Sequence, residues 1–592
     1  MKTIIVNTFS FISMFPSYNT AYIQGLLKKN NEESKNIDIN QIIWNELLSK
    51  EFISNLKFNS DINKIQKCPL CSYSILSKES FDLLKEEILQ NIDDVISIFR
   101  SNEIYIFEKL KFAYTCVHKL QCLIYASFGT FFTFHMPYWA GLGFECSDVE
   151  AIYKIASDIE KNPLIEIIEK KVVPIIRQNE VHFIIEDIMF PWDIIPALTF
   201  NKIIKKEFPN VHINYAGLGF DEFSFSRIKQ GLISNSKLFF LFDSIFIYRN
   251  EKGIVELLRG EKMDEIDNLY YINNGDVITN RLNESILNDK NIIPIYDDID
   301  FNKYFVPEKI VIDRLTYKCF WSKCNFCSIN SNKFVLQKGN LDEHVQRVVQ
   351  IYNKYGVNNF WFLDEACPIK YAESFASKIC ESGISIYWSL RTRIDKRIKK
   401  DVLIHLYNSG LRELWLGLEH VNYRILELMN KSDFNMDYGN IASKILKDAS
   451  DIGIGIHFCH IVGFPSETDE EREDILNFYK RNLTSLKRMP FFTTFNVFGL
   501  MYESVMYKNP KKFGLYNIKP DDNTFFMIKV PYNSEYNDET CNPVNMIKLG
   551  LWISKYTDAI VPNKGLQAIW NSISDSPMEL LLKKHYRYNP FI

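Results

Sequence analysis

No basic tract runs through this chain. Its 592 residues carry 69 Lys or Arg against 73 Asp or Glu, a net charge of −4, and the lysines are spread along the sequence. Nucleic acid is therefore not an expected partner. Long uninterrupted apolar runs are missing as well. The most apolar stretch, 120–144, is broken by Gln, Ser, Thr, Gly and Pro and reads as buried structure of a folded domain, not as a membrane span. The N-terminal MKTIIVNTFSFISMF sets a lysine ahead of apolar residues, as an export signal would. Asn7, Thr8 and Ser10 interrupt it, however, and no small-residue cleavage site follows, so it reads as a first β-strand. The expectation is a cytoplasmic protein without a membrane partner, in which thiols stay reduced and clustered cysteines mean metal or catalysis. Disorder is excluded by the 46% hydrophobic and 14% aromatic content, which supplies large cores. The length implies roughly two to four domains.

What is present is an α/β rhythm. Residues 1–260 read as a Rossmann-like unit, with strands in IIVNTF, VHFIIEDIMFPW, NVHINYAGLGF and SIFIY. The segments PSYNTAYIQGLLKKN and DIIPALTFNKIIKKEFP read as amphipathic helices, and a helix-rich insertion occupies about 45–125. Such alternation implies a parallel sheet covered by helices, with its ligand crevice at the strand ends. Residues 261–305 look like a linker in which the Asn-Gly of INNGDVITN marks a hairpin. From 306 to 500 six βα units follow: EKIVIDRLTY, NNFWFLDE, ISIYWSLRT, ELWLGLE, IGIHFCHIVGF and TTFNVFGL alternate with helices that close on Gly356 and Gly410. They predict a full or partial parallel barrel with its chemistry at the C-terminal ends of the strands. Residues 501–592 form an α+β tail.

Three of the twelve cysteines fall in CFWSKCNFC, immediately after the first of those six strands. Cys319, Cys324 and Cys327 are set five and then three positions apart. A structural zinc site closes with four ligands, yet no further cysteine occurs between Ser328 and Leu363, and Cys367 comes only after the second strand. A 4Fe-4S cube held by three thiolates leaves one iron open for a substrate or cosubstrate. A second pair, Cys68 and Cys71 in KCPLC, has zinc-like spacing without an evident partner pair. Cys116 and Cys122 are its conceivable companions, and ordinary thiols are the simpler reading.

A cysteine triad on this loop, with the aromatic Phe326 just before its last member, resembles the radical S-adenosylmethionine (radical SAM) superfamily. The form C-x-W-x-K-C-x-F-C resembles its cobalamin-domain branch, which includes methyltransferases and enzymes that mature ribosomally made peptides. The stretches WSLRTRID, LYNSGLRELWLGLEHVNYRILELMNK and IGIHFCHIVGFPSETDEE are similar to the superfamily's methionine- and sugar-binding strands in order and spacing. The resemblance implies a metal site of Cys319, Cys324 and Cys327 and a bound S-adenosylmethionine. Its carboxylate needs a cation, Arg391 or Arg393, and its ammonium needs acceptors, for which Asp364 and Glu365 are placed. Glu419 would meet ribose hydroxyls or the ammonium, and Gly463 would give a flat approach to adenine. His420 stands where relatives often have Ser. Each of these has an ordinary reading too, as a loop cap, an ion pair or a turn. Cys367, Cys380 and Cys459 read first as buried thiols, with Cys367 the candidate hydrogen-atom donor.

The N-terminal unit resembles that branch's cobalamin-binding domain more loosely. Leu218 separates Gly217 from Gly219 where a Gly-Gly is common, and the Asp-x-His-x-x-Gly signature of a lower axial histidine is absent. The implied function is a cobalamin-dependent methyltransferase acting on an unactivated carbon of a peptide or natural product, with an external reductant of flavodoxin or ferredoxin type. The alternatives are a cobalamin-independent peptide modification, such as epimerisation or cross-linking, and a non-catalytic iron-sulfur scaffold. The tail lacks the cysteines of auxiliary clusters, having only Cys541, so a single cluster is expected.

Overall fold

The computed structural model describes residues 2–10, 12–63, 77–131, 140–141, 149–188, 193–216, 239, 241–247, 250–283, 292–317, 319–331, 337–338, 340–432, 437–518, 529–536 and 543–592. They form two compact units, one of Met1–Glu308 and one of Lys309–Asp521 with Ile528–Ile592. Among the described residues no helix is long and apolar enough to cross a membrane.

The first unit is built on β1 (Thr3–Asn7), whose five residues are all buried. After it come α1 (Tyr18–Lys29), β2 (Ser34–Asp38) and α2 (Ile39–Leu47), then α3 (Lys78–Phe99) and α4 (Phe107–Phe128) of the helical insertion. The sheet continues with β3 (Phe183–Asp187), α5 (Ile194–Glu207), β4 (His212–Tyr215), β5 (Ser244–Phe246) and α6 (Glu251–Leu258). Strands β2-β1-β3-β4-β5 pair in parallel. An order that starts from the second strand and then runs outward on the other side places a topological switch point between β1 and β3. The expected linker is instead part of this sheet. Strands β6 (Leu269–Asn273) and β7 (Asp276–Thr279) form the anticipated hairpin, and β6 pairs antiparallel with β5. Its turn residues Asn274 and Gly275 both have positive φ, 51° and 89°, as a tight hairpin turn requires.

The second unit holds six parallel strands in sequential order: β8 (Ile310–Asp313), β9 (Asn359–Phe362), β10 (Tyr387–Arg393), β11 (Leu411–Glu419), β12 (Gly455–Val462) and β13 (Phe491–Val497). This is the curled half-barrel that six βα repeats imply. The outer layer begins with α7 (Leu341–Tyr355), α8 (Ile369–Ser382) and α9 (Lys400–Asn408), and goes on through α10 (Tyr423–Leu428), α11 (Tyr438–Ile452) and α12 (Asp469–Lys487). Its contacts are aromatic: the Trp388 and Phe375 rings meet edge-on, 5.4 Å apart. Alternation then turns Ser389, Arg391 and Arg393 to the inner face. Helix α12 starts at Thr468 with a reciprocal Thr468–Glu471 capping box, so the acidic ETDEERED run is a helix N-terminus.

The tail does not stand apart. After α13 (Pro543–Ile560) and α14 (Lys564–Ile573), α15 (Pro577–His585) packs on β10, β11 and β12. Lys583 on α15 lies where a side chain at Gly455 would have to be: a Cβ there would come within 2.3 Å of it. Lys583 bonds Glu413 Oε1 at 2.9 Å and Glu579 Oε2 at 2.6 Å, all three groups being shielded from water.

Candidate active site

Two strand-end carboxylates fix the root of the cysteine loop. Asp313, ending β8, accepts from Arg347 Nε at 2.8 Å, with both groups buried. Asp364, past β9, accepts from the backbone N–H of Leu315 at 3.2 Å, the N–H of Thr316 at 2.5 Å and the Thr316 hydroxyl at 2.7 Å. Burial pushes the Asp364 carboxyl up to about 6, against those hydrogen bonds. Asp364 therefore orders the loop, while its neighbour Glu365 is exposed and close enough to Cys327 to raise that thiol's pKa.

Beyond Tyr317 the loop is clasped onto residues 428–431, the segment that follows α10. Asn325 donates its N–H to Met429 O at 2.9 Å and Nδ2 to Leu428 O at 2.8 Å. Trp321 Nε1 donates to Asn430 O at 3.0 Å, and Asn430 Nδ2 donates back to Lys323 O at 2.8 Å. Phe326 packs against the apolar group that contains Met429, Phe464 and Phe498.

Cys319 and Cys327 are partly open and Cys324 is buried. Burial pushes the Cys324 thiol up, while the Lys431 and Arg393 cations oppose it. Cys327 is pushed up by burial and then by Cys324, so the three sulfurs stand within electrostatic reach of one another. Among the described residues no three Cys, His, Asp or Glu side chains converge as the ligand shell of one ion. A cubane differs in its demand, since its thiolates bind separate irons, and Lys431 and Arg393 work against burial in favour of the thiolate form of Cys324. His344, the one histidine between the triad and β9, faces Tyr371 Oη at 2.8 Å through Nδ1.

Arg393, ending β10, lays its guanidinium 3.7 Å from the centre of the Trp321 ring and donates to Lys431 O. Its Nε is buried without a partner. Glu419, ending β11, adopts φ 56° at a bulge and accepts from Lys431 Nζ at 2.8 Å. A side chain at Gly417 would intrude on this pair, since a Cβ there would lie 2.8 Å from both Glu419 Oε1 and Lys431 Nζ. His420 turns away onto Glu467, 3.1 Å from Oε1. The other oxygen of Glu467 accepts from the Gly463 N–H at 2.7 Å and from Arg472 Nε at 2.8 Å. This hub joins the GLEH and VGFP turns, and Gly463 sits in it at φ 72°.

Arg391 lies one step earlier on the inner face of β10, its guanidinium 4.1 Å from the Trp415 ring centre and 5.5 Å from that of Trp361. It pairs with Asp575 of the tail at 3.4 Å. Cys367, the expected hydrogen-atom donor, is wholly buried with its sulfur 3.7 Å from Pro368 O. Cys459 is partly open; burial pushes its thiol up first, Glu419 and Asp575 add to this, and Arg391 and Lys431 oppose it. Cys380 is an exposed thiol on α8. Lys431 and Asp575 carried no motif of their own, although Lys431 lies at the end of the LYNSGLRELWLGLEHVNYRILELMNK stretch.

The first unit has a small pocket at its switch point, lined by Asn7, Ser10, Phe15, Ser17, Asn40 and Asp187. Asp187 accepts from Ser17 and Asn19 at 3.1 Å each, and the hydroxyls of Ser10 and Ser13 are buried without partners. Cys68, Cys71, Gly217, Leu218, Gly219 and Cys541 lie outside the described residues. Cys116 is a free buried thiol. Cys122 is disulfide-bonded.

Residues 314–479 match the family model described as the radical SAM superfamily. An uncharacterized methyltransferase of Pyrococcus horikoshii is 28% identical over 238 residues, 39% of this chain, and the match spans about half of that relative's length (50%). The solved structure of TsrM, a radical S-adenosylmethionine methyltransferase from Kitasatospora setae with tryptophan substrate and a SAM analog bound, superposes with a TM-score of 0.54. That match has 10% identity and covers 100% of this chain and 96% of TsrM. TsrM with cobalamin and a [4Fe-4S] cluster bound gives a TM-score of 0.52 at 10% identity, over 95% and 89% of the two chains. At that identity the likeness is one of fold.

Proposed function

Residues 314–479 are a radical SAM domain, and from that premise we propose that the protein cleaves S-adenosylmethionine reductively and methylates an unactivated carbon of its substrate. Cys319, Cys324 and Cys327 would hold a 4Fe-4S cluster, and the switch-point pocket of the first unit would receive part of a cobalamin. When bound, the cluster supplies the single electron that breaks the sulfonium carbon–sulfur bond, and the corrin supplies the methyl group.

The observation that carries this reading is the convergence of the three-cysteine loop with Arg393, Lys431 and Glu419. Arg393 has an unfilled donor for the aminocarboxylate of S-adenosylmethionine. Glu419, held in a left-handed backbone, presents its carboxylate to ribose hydroxyls or the ammonium, and Lys431 Nζ pairs with that carboxylate in a buried place. Phe326 and its apolar neighbours keep water from the cosubstrate. Gly463, fixed through Glu467, leaves flat backbone for adenine. For cobalamin, the support is the switch point together with the unpartnered hydroxyl of Ser10, which lines the pocket there. The TsrM structures, with cobalamin in one and tryptophan in the other, and the Pyrococcus methyltransferase support the same class. The electron would come from an external donor of flavodoxin or ferredoxin type.

A second reading, a peptide modification without cobalamin such as epimerisation, is favoured by one observation. Cys459 offers a thiol inside the barrel, whereas Cys367 is sealed off. The test is anaerobic reconstitution of the full chain with iron, sulfide and hydroxocobalamin, followed by reductant and S-adenosylmethionine. Formation of 5′-deoxyadenosine together with a corrin spectrum supports the first reading. Cleavage at full cluster loading without bound corrin favours the second, and no 5′-deoxyadenosine would leave a non-catalytic iron-sulfur scaffold.

A further inference from the structure

Arg391 and Asp575 form an ion pair unlike the others inside the barrel. The contact is long, 3.4 Å, and both side chains are partly open, at 28% and 37% exposure. Lys583 with Glu413, deeper in the same interior, is fully closed on both sides. The open pair is nonetheless rigidly built. Trp415, beneath the guanidinium, is stacked on His457 at 3.8 Å with the rings 2° from parallel. His457 is wedged between Glu579, 2.9 Å from Nδ1, and Thr494, 2.8 Å from Nε2. Asp575 is set at φ 63° and donates its own N–H to Glu579. Glu579, His457 and Lys583 thus fix both members of the pair from behind.

The pair also has unused capacity. A guanidinium offers five N–H donors; Arg391 makes one long bond to Asp575, and its Nε is buried without a partner. Cys459 lies two positions beyond His457 on β12, and strand alternation puts it on the face that carries the Trp415–His457 stack beneath Arg391. Arg393 is already engaged by the cysteine loop. Same-face positions on a strand are about 6.6 Å apart, which separates the two arginines into two tasks. A fixed cation with a fork of free donors beside a fixed carboxylate is the complement of a zwitterion.

We propose that the barrel interior binds a free α-amino acid as substrate, with Arg391 taking its carboxylate and Asp575 its ammonium. Trp361 and Trp415 wall the cation, and Cys459 lies beside the bound molecule. The assignment rests on the radical SAM reading of this barrel, but it concerns binding and is read without turnover.

The test titrates the reconstituted full chain calorimetrically with each L-amino acid. For every binder it repeats the titration with the α-carboxamide, the N-acetyl derivative and short peptides containing that residue. The expected result is at least one free amino acid that binds, with either cap weakening it tenfold or more. R391Q should erase the preference for acid over amide, and D575N the preference for free over acetylated amine, with R391K and D575E as milder variants should either fail to fold. Failure of all free amino acids, capped forms or peptides that bind equally well, or preferences that survive both substitutions would overturn the proposal. Loss of S-adenosylmethionine binding in R391Q with the acid preference intact would also overturn it, by assigning Arg391 to the cosubstrate. Absence of 5′-deoxyadenosine would count against the radical chemistry alone.

Discussion

Lys431 Nζ stands 2.8 Å from Glu419 Oε1, in a pair only 8% and 11% exposed. Burial works to lower the lysine's pKa, and Glu419, Tyr438 and Cys324 together more than reverse it. Removing one partner of such a pair leaves the other charge buried alone, at a cost of about 3–5 kcal/mol. K431M should therefore lose about 3 kcal/mol by denaturant unfolding of the cluster-free protein, and adding E419Q should restore more than half of the loss. K431M as stable as the parent would show that the pair is not closed in solution.

The cysteines separate by position. C319A, C324A and C327A should each abolish 5′-deoxyadenosine formation after reconstitution. C367A should keep it within about twofold, because that thiol is wholly buried, with its sulfur against Pro368 O. Product assays on the four variants decide it, and a surviving activity in any of the first three removes that residue from the metal site.

Glu186, fully buried on β3, gives a pH signature. Burial pushes its carboxyl from 4.5 to about 8, the Asn201 amide opposes this and Asp187 adds to it. Below the unfolded value both states are protonated and nothing is lost. As pH climbs toward about 8 the unfolded chain ionises first, so folding stability falls across that window. E186Q cannot ionise, and its stability relative to the parent should rise between about pH 5 and about pH 8. Equal differences at the two pH values in urea unfolding would mean that Glu186 is ionised in the fold.

The sequence carried the six barrel strands because each is an apolar run ended by polar residues, with Gly356 and Gly410 marking helix ends that do adopt positive φ. The cysteine spacing was equally legible, since three thiolates and no fourth is a chemical statement made within nine residues. Lys431 and Asp575 were not, because an isolated Lys or Asp has no local pattern and gains meaning only from what folding brings to it. Asp364 was legible as a strand-end carboxylate but not as the anchor of Leu315 and Thr316, which depends on β8 and β9 pairing side by side. The hairpin of 269–279 was read within a linker, because two short strands show no sign of the sheet edge they extend.

The clasp between the cysteine loop and residues 428–431 makes a last prediction. Asn430 bonds that loop in both directions, giving Nδ2 to Lys323 O and taking Trp321 Nε1 on its carbonyl. It does so at φ 51°, a left-handed conformation that Asn tolerates better than most residues. N430A removes the side-chain bond and adds backbone strain, while N430G removes the bond alone. A loop held less firmly costs the site the preorganisation of its thiols. Both variants should therefore retain less iron and sulfide per chain than the parent after desalting, and N430A less than N430G, with far-ultraviolet circular dichroism unchanged. If both hold the full complement, the remaining bonds from Asn325 to Leu428 and Met429 suffice to fix the loop.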